Sequence, residues 1–98
     1  MMKMLEMPAR EEIELPDVLH ALSDPVRLEI VRMLTRDGER VCGTLELPIA
    51  DSTRSHHLRI LREAGVTATR AVGTQRLVSL RRDDLEERFP GLVDVLTR

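Results

Sequence analysis

Between Asp51 and Ala64 the chain sets out a run of short or flat polar side chains, Ser52, Thr53, Ser55 and His56, with Arg54 among them and Arg59 one helical turn on. Hydroxyls, an imidazole and guanidinium groups on the first turns of a helix can reach phosphates or base edges. The free N–H groups of a helix N-terminus bind phosphate as well. The same residues also describe a solvated polar face with a capping serine. A second cluster lies downstream, where Arg70 and Arg76 flank the stretch Ala71–Gln75. An arginine at a hairpin tip can enter a minor groove and read its width; charges there also guard an exposed strand edge.

The charge distribution favours the nucleic-acid reading. The net charge is −2, from 15 basic and 17 acidic residues. Yet residues 52–82 hold seven arginines against one acid, Glu63, a local +6 inside a remainder of −8. Sign asymmetry of this kind marks a partner surface. Other chemistry finds little support. Ser55 and His56 are neighbours, and neighbours on a helix do not face each other. No Gly-rich phosphate loop is present, so neither catalysis nor a cofactor is expected. His56 and His57 stand about 100° apart on a helix, whereas a two-histidine metal site wants i, i+4 spacing. His57, beside Leu58, is read as structural or phosphate-contacting, and His20 as solvated or at the core edge. Cys42, the only cysteine, is a possible thiol sensor or half of a metal site, or a small buried hydrophobe.

The elements that must position these groups follow from period and punctuation. Residues 1–14 lack a clear period and are expected to form a flexible arm that turns helical toward Glu11. Leu15, Val18, Leu19 and Leu22 recur at helical spacing, with Pro16 tolerated in a first turn. Asp24 can cap a helix that starts at Pro25 and stops at Asp37-Gly38. Val41–Glu46 reads as one or two helical turns. Asp51 and Ser52 offer caps for a helix to Ala64, with Leu58 and Leu61 inward. Arg54 shares their side, so it either extends its stem outward to a phosphate or the helix is rotated slightly. Val66–Val72 and Gln75–Leu80 flank Gly73-Thr74 as a hairpin. Leu85, Phe89, Leu92 and Leu96 lie on one stripe of a last helix that Pro90-Gly91 kinks or splits.

The order helix, helix, short helix, helix, hairpin, helix is a mainly α winged helix-turn-helix, filling residues 15–98 as one domain. With Phe89 the only aromatic residue, the core must be aliphatic. Domains this small bury about 60–70% of their unfolded surface, so association would help. Leu15, Val18, Leu19 and Leu22, with Leu85, Phe89, Leu92 and Leu96, are the expected homodimer surface. No apolar run approaches the roughly 18 residues that span a bilayer. The lone cysteine and an acidic N-terminus without an apolar stretch predict a cytoplasmic protein without membrane contact.

Two motifs carry a family resemblance. Ala21-Leu22-Ser23-Asp24-Pro25-Val26-Arg27-Leu28-Glu29-Ile30 resembles the opening of ArsR-type (arsenic-repressor-like) bacterial transcription regulators. Ser52-Thr53-Arg54-Ser55-His56-His57-Leu58-Arg59-Ile60-Leu61-Arg62-Glu63-Ala64-Gly65-Val66 looks like their recognition-helix signature. The likeness covers roughly Leu15 to Leu80. It implies a homodimeric repressor on a near-palindromic operator in double-stranded DNA, released by an effector. Together with the residue chemistry above, it makes Ser52, Thr53, Arg54, Ser55, His56, Arg59, Arg70, Gln75 and Arg76 the expected DNA contacts. The chain departs from the family's familiar metal sites. Glu39-Arg40-Val41-Cys42-Gly43 keeps at most one of a Cys-x-Cys pair, and residues 81–98 hold no histidine. A metal at another site, a thiol switch at Cys42 and the absence of any effector therefore all stay open. A winged-helix module that binds a protein partner instead of an operator is the competing reading.

Overall fold

The computed structural model describes residues 2–98. The helices are α1 (Leu15–Leu22), α2 (Pro25–Asp37), α3 (Asp51–Glu63), α4 (Arg82–Arg88) and α5 (Leu92–Leu96). The strands are β1 (Met2–Met4), β2 (Arg40–Val41), β3 (Thr67–Val72) and β4 (Gln75–Leu80). They form one antiparallel sheet in the order β1-β3-β4-β2. Helices followed by the β3–β4 hairpin make the winged helix-turn-helix expected from the sequence.

Local rules account for two of the boundaries. Asp24 caps α2, its carboxylate accepting from the N–H groups of Val26 (2.8 Å) and Arg27 (3.1 Å). Those bonds, led by the one from Arg27, hold the Asp24 carboxyl below the usual carboxylate range. Pro90-Gly91 does split the last helix, into α4 and α5. The core is aliphatic, with Ile13, Val18, Ile30, Val31, Leu61, Val66, Val78, Leu85 and Val93 among its most buried members. Phe89 only packs against it.

Three expectations need correction. The N-terminal segment is no loose arm among its described residues (Met1 lies outside them). Met2, Lys3 and Met4 pair with Val72, Ala71 and Arg70. A 3-10 turn at Arg10–Glu12 follows, and Ile13 is 1% exposed in the core. Burying one such side chain contributes about 1.5–3 kcal/mol, which a three-residue strand without visible periodicity could not announce. The Arg81 Nη1 donor on the Pro8 carbonyl (2.6 Å), the Arg88 Nη2 donor on the Ile13 carbonyl (2.5 Å) and the Arg10–Asp84 ion pair (2.6 Å) fasten the segment further.

The second correction is partial, because Val41–Glu46 does keep one of the expected one or two helical turns. It holds the end of a two-residue strand and a single 3-10 turn, Cys42–Thr44. Pairing of Arg40 and Val41 with Val78 and Leu77 draws this stretch into the sheet, and backbone bonds spent on a ladder are unavailable to a helix. The third concerns the apolar stripe assigned to a dimer surface. Val18 and Leu85 are fully buried and Leu22 nearly so within this one chain, so they are core and cannot meet a partner. Leu15 and Leu19 are exposed, as is the unassigned Val95; Phe89, Leu92 and Leu96 are half-buried.

Candidate nucleic-acid interface

Helix α3 is positioned by its inner face, its C-terminal end and its middle. Leu58 and Leu61 bury one face. At its C-terminal end Gly65 adopts φ +88°, and a Cβ there would lie 2.6 Å from Ile13 Cγ1. Only glycine lets the chain turn so closely against the N-terminal segment. At mid-helix, His57 Nδ1 lies 3.2 Å from Arg27 Nη1. A guanidinium has no acceptor, so the imidazole nitrogen accepts. Arg27 is itself buried and donates through Nε to the Ala21 carbonyl at 2.6 Å. One arginine thus ties the C-terminus of α1, the start of α2 and the middle of α3. His57 is structural, and its ring centroid lies 6.0 Å from that of His56.

The N-terminus of α3 begins one residue before the expected Ser52. Ala50 is the N-cap and makes no side-chain cap bond. Asp51 instead pairs with Arg54 at 3.2 Å, which explains why an arginine is tolerated on the inward side of the helix.

Six side chains from α3 and β4 line one shallow, open concavity: Ser52, Ser55, His56, Arg59, Arg62 and Arg76. The alternation along β4 explains how Arg76 gets there. It is two residues from the buried Val78, so it lies on the α3 side of the sheet. The predicted set therefore divides. Ser52, Ser55, His56, Arg59 and Arg76 come together. Thr53 is exposed outside the concavity. Gln75 pairs with Val72 at the turn and alternates onto the opposite face from Arg76.

Arg70 is also on that opposite face and is already engaged. Its Nε and Nη2 donate to both Glu39 oxygens at 2.8 and 2.7 Å, and this bidentate pairing lowers the Glu39 carboxyl from its ordinary value. Arg70 is thus not the free wing arginine that its place in the sequence suggested. The +6 window needs the same revision. Arg54, Arg70 and Arg81 meet Asp51, Glu39 and Asp84, all outside residues 52–82. Arg59, Arg62, Arg76 and Arg82 are left without a close ion pair among the described residues, and the first three come together on α3 and β4. Arg59 keeps only a long, exposed contact of 3.6 Å to Glu63.

Arg62 was not among the expected contacts. Its Nε is buried and has no hydrogen-bond partner among the described residues. The signal was present: Ser55, Arg59 and Arg62 fall at i, i+4 and i+7, one stripe of a helix.

Cys42 is partly buried against the core. Burial pushes its thiol above the ordinary value, while the nearby positive charges of Arg54, Arg76 and Arg62 pull the other way. Among the described residues no group of three or more His, Cys, Asp and Glu could hold a metal ion. No helix among them is long and apolar enough to cross a membrane.

Comparison with known proteins agrees with this geometry. Residues 22–70, which carry α2, α3 and most of β3, match a family model described as a helix-turn-helix domain. An uncharacterised HTH-type transcriptional regulator of Bacillus subtilis, YceK, is 40% identical over 82 residues, covering 81% of this chain and 82% of its own length. Another, from Methanocaldococcus jannaschii, is 36% identical over 72% of this chain and 82% of its own length. The arsenical resistance operon repressor of Staphylococcus xylosus is 34% identical over 74% of this chain and 71% of its own. With its winged fold, its cationic α3–β4 surface and these relatives, the chain belongs to the ArsR-type helix-turn-helix transcriptional regulators, which bind DNA.

Proposed function

We propose that this protein is a dimeric, sequence-specific repressor that binds a near-palindromic operator. The concavity shared by α3 and β4 carries the reading. In this reading Ser52, Ser55 and His56 on the first turns of α3 meet base edges, with Thr53 beside them on the backbone. Arg59, Arg62 and Arg76 meet phosphates. Arg54 and Arg70 serve the fold through Asp51 and Glu39.

Dimerisation rests on Leu15 and Leu19 of α1 with Leu92, Val95 and Leu96 of α5, the apolar groups of the end helices that this chain leaves uncovered or half-covered. The longest dimension of one subunit is 34 Å, which suits two heads placed one DNA turn, about 34 Å, apart. Repression itself is supported by the relative that represses an arsenical resistance operon. A multi-thiolate arsenic site is not available within one chain that has a single cysteine, so an effector would act elsewhere or through both subunits.

The test is a gel-shift titration on DNA upstream of the protein's own gene at several salt concentrations. Retarded bands whose affinity falls steeply with salt are expected, through counterion release. Arg59→Ala and Arg76→Ala should each reduce the salt slope by about 0.9. No band even at low salt overturns the reading. A sedimentation measurement of Leu19→Asp tests the dimer: the parent should run as two chains and the variant as one.

A further inference from the structure

We infer that the N-terminal strand β1 is part of the DNA-binding wing and that Lys3 is a phosphate contact. This rests on the DNA-binding reading above and extends it to a segment that lies outside the matched helix-turn-helix region.

The placement follows from register. Lys3 pairs with Ala71, and Ala71 pairs with Arg76. Directly paired residues of antiparallel strands project to the same face. Lys3, Ala71 and Arg76 therefore form one cross-strand row on the α3 side of the sheet. The flanking residues agree. Met2 and Met4 alternate to the opposite side, where Met2 Sδ lies 3.5 Å from Arg70 Nη1. The strand continues as a bonded edge, with the Leu5 N–H on the Thr69 carbonyl at 2.9 Å.

Lys3 is the only lysine of the chain. It is exposed and makes no ion pair among the described residues. Two strand spacings separate it from Arg76, about 10 Å. Along the duplex axis that is about three base-pair steps at about 3.4 Å each. The distance exceeds the Debye length of about 8 Å at physiological salt, so Lys3 adds a contact of its own rather than reinforcing Arg76. The row also replaces what the hairpin lacks. Arg70, the other wing cation, is held by Glu39 on the far face, and β1 brings a free ammonium to the near one.

Lys3→Gln and Lys3→Arg should be compared with the parent by salt-dependent titration on operator and on random duplex DNA. Thermal unfolding of each variant reports that β1 and the fold persist. Lys3→Gln should lower the salt slope by about 0.9 on both DNAs. Its affinity deficit should then narrow about threefold between 50 and 200 mM salt. Lys3→Arg should restore the parental slope. Binding by the parent with an unchanged slope in Lys3→Gln overturns this inference alone, as does an equal loss in Lys3→Arg. Failure of the parent to bind any DNA overturns it together with the repressor reading.

Discussion

Replacing Arg27 by leucine separates the scaffold of α3 from its DNA contacts. Leucine keeps the apolar stem but removes a guanidinium that is 8% exposed. Two well-formed bonds disappear, one to the Ala21 carbonyl at 2.6 Å and one to His57 Nδ1 at 3.2 Å. A third, to the His20 carbonyl at 3.5 Å, sits at the limit of a hydrogen bond. The two carbonyls close the C-terminal turn of α1, where a cation also opposes the helix dipole. Hydrogen bonds to a charged group contribute about 1.5–3 kcal/mol each. Release of a desolvated charge offsets part of that, leaving a loss of about 3 kcal/mol. For a domain of this length each kcal/mol moves the melting temperature by about 4–8 °C, so a fall of about 12–24 °C is expected. Urea unfolding followed by far-UV circular dichroism, at matched protein concentration, measures the loss. A double-mutant cycle with His57→Ala should show a coupling of about 1 kcal/mol. If Arg27→Leu stays within about 0.5 kcal/mol of the parent, or the two changes simply add, Arg27 is not the tie between α1 and α3.

Gly65→Ala should destabilise by about 2–4 kcal/mol, from left-handed backbone strain and the encounter with Ile13; in an Ile13→Ala background the same change should cost measurably less in urea. Asp24→Asn tests the cap by pH. The carboxyl is lowered on folding, so its contribution is full above the unfolded value of about 4 and is lost as pH falls through the lower folded value. The parent should therefore lose more stability than Asp24→Asn in acid, and parallel acid limbs would refute the assignment. Cys42 has a raised thiol, so at neutral pH it should alkylate more slowly than a cysteine in an unfolded peptide; a faster rate of iodoacetamide labelling would contradict this. Cys42→Ser should leave operator binding by the reduced protein unchanged in a gel shift.

What the sequence determines by itself is local. Asp24-Pro25, Asp37-Gly38, Gly73-Thr74 and Pro90-Gly91 act on their own neighbours through capping and turn geometry, so α2, the hairpin and the break between α4 and α5 are legible without knowing what packs where. The polar first turns of α3, with Arg59, are legible for the same reason. Tertiary structure decides everything that depends on a partner distant in the chain. Glu39 takes Arg70 across 31 positions, and Asp84 joins Arg10 across 74, so a count of charges along the sequence overstates the free ones. Val18 shares a periodicity with the exposed Leu15 and Leu19, and Leu85 with the half-buried Phe89, yet which member of an apolar stripe is core depends on what covers it. Met2–Met4 has no signal of its own and becomes a strand only because β3 offers an unpaired edge. Ladder bonds, burial and ion pairing are properties of pairs, and the distance between the members of a pair is set by the fold.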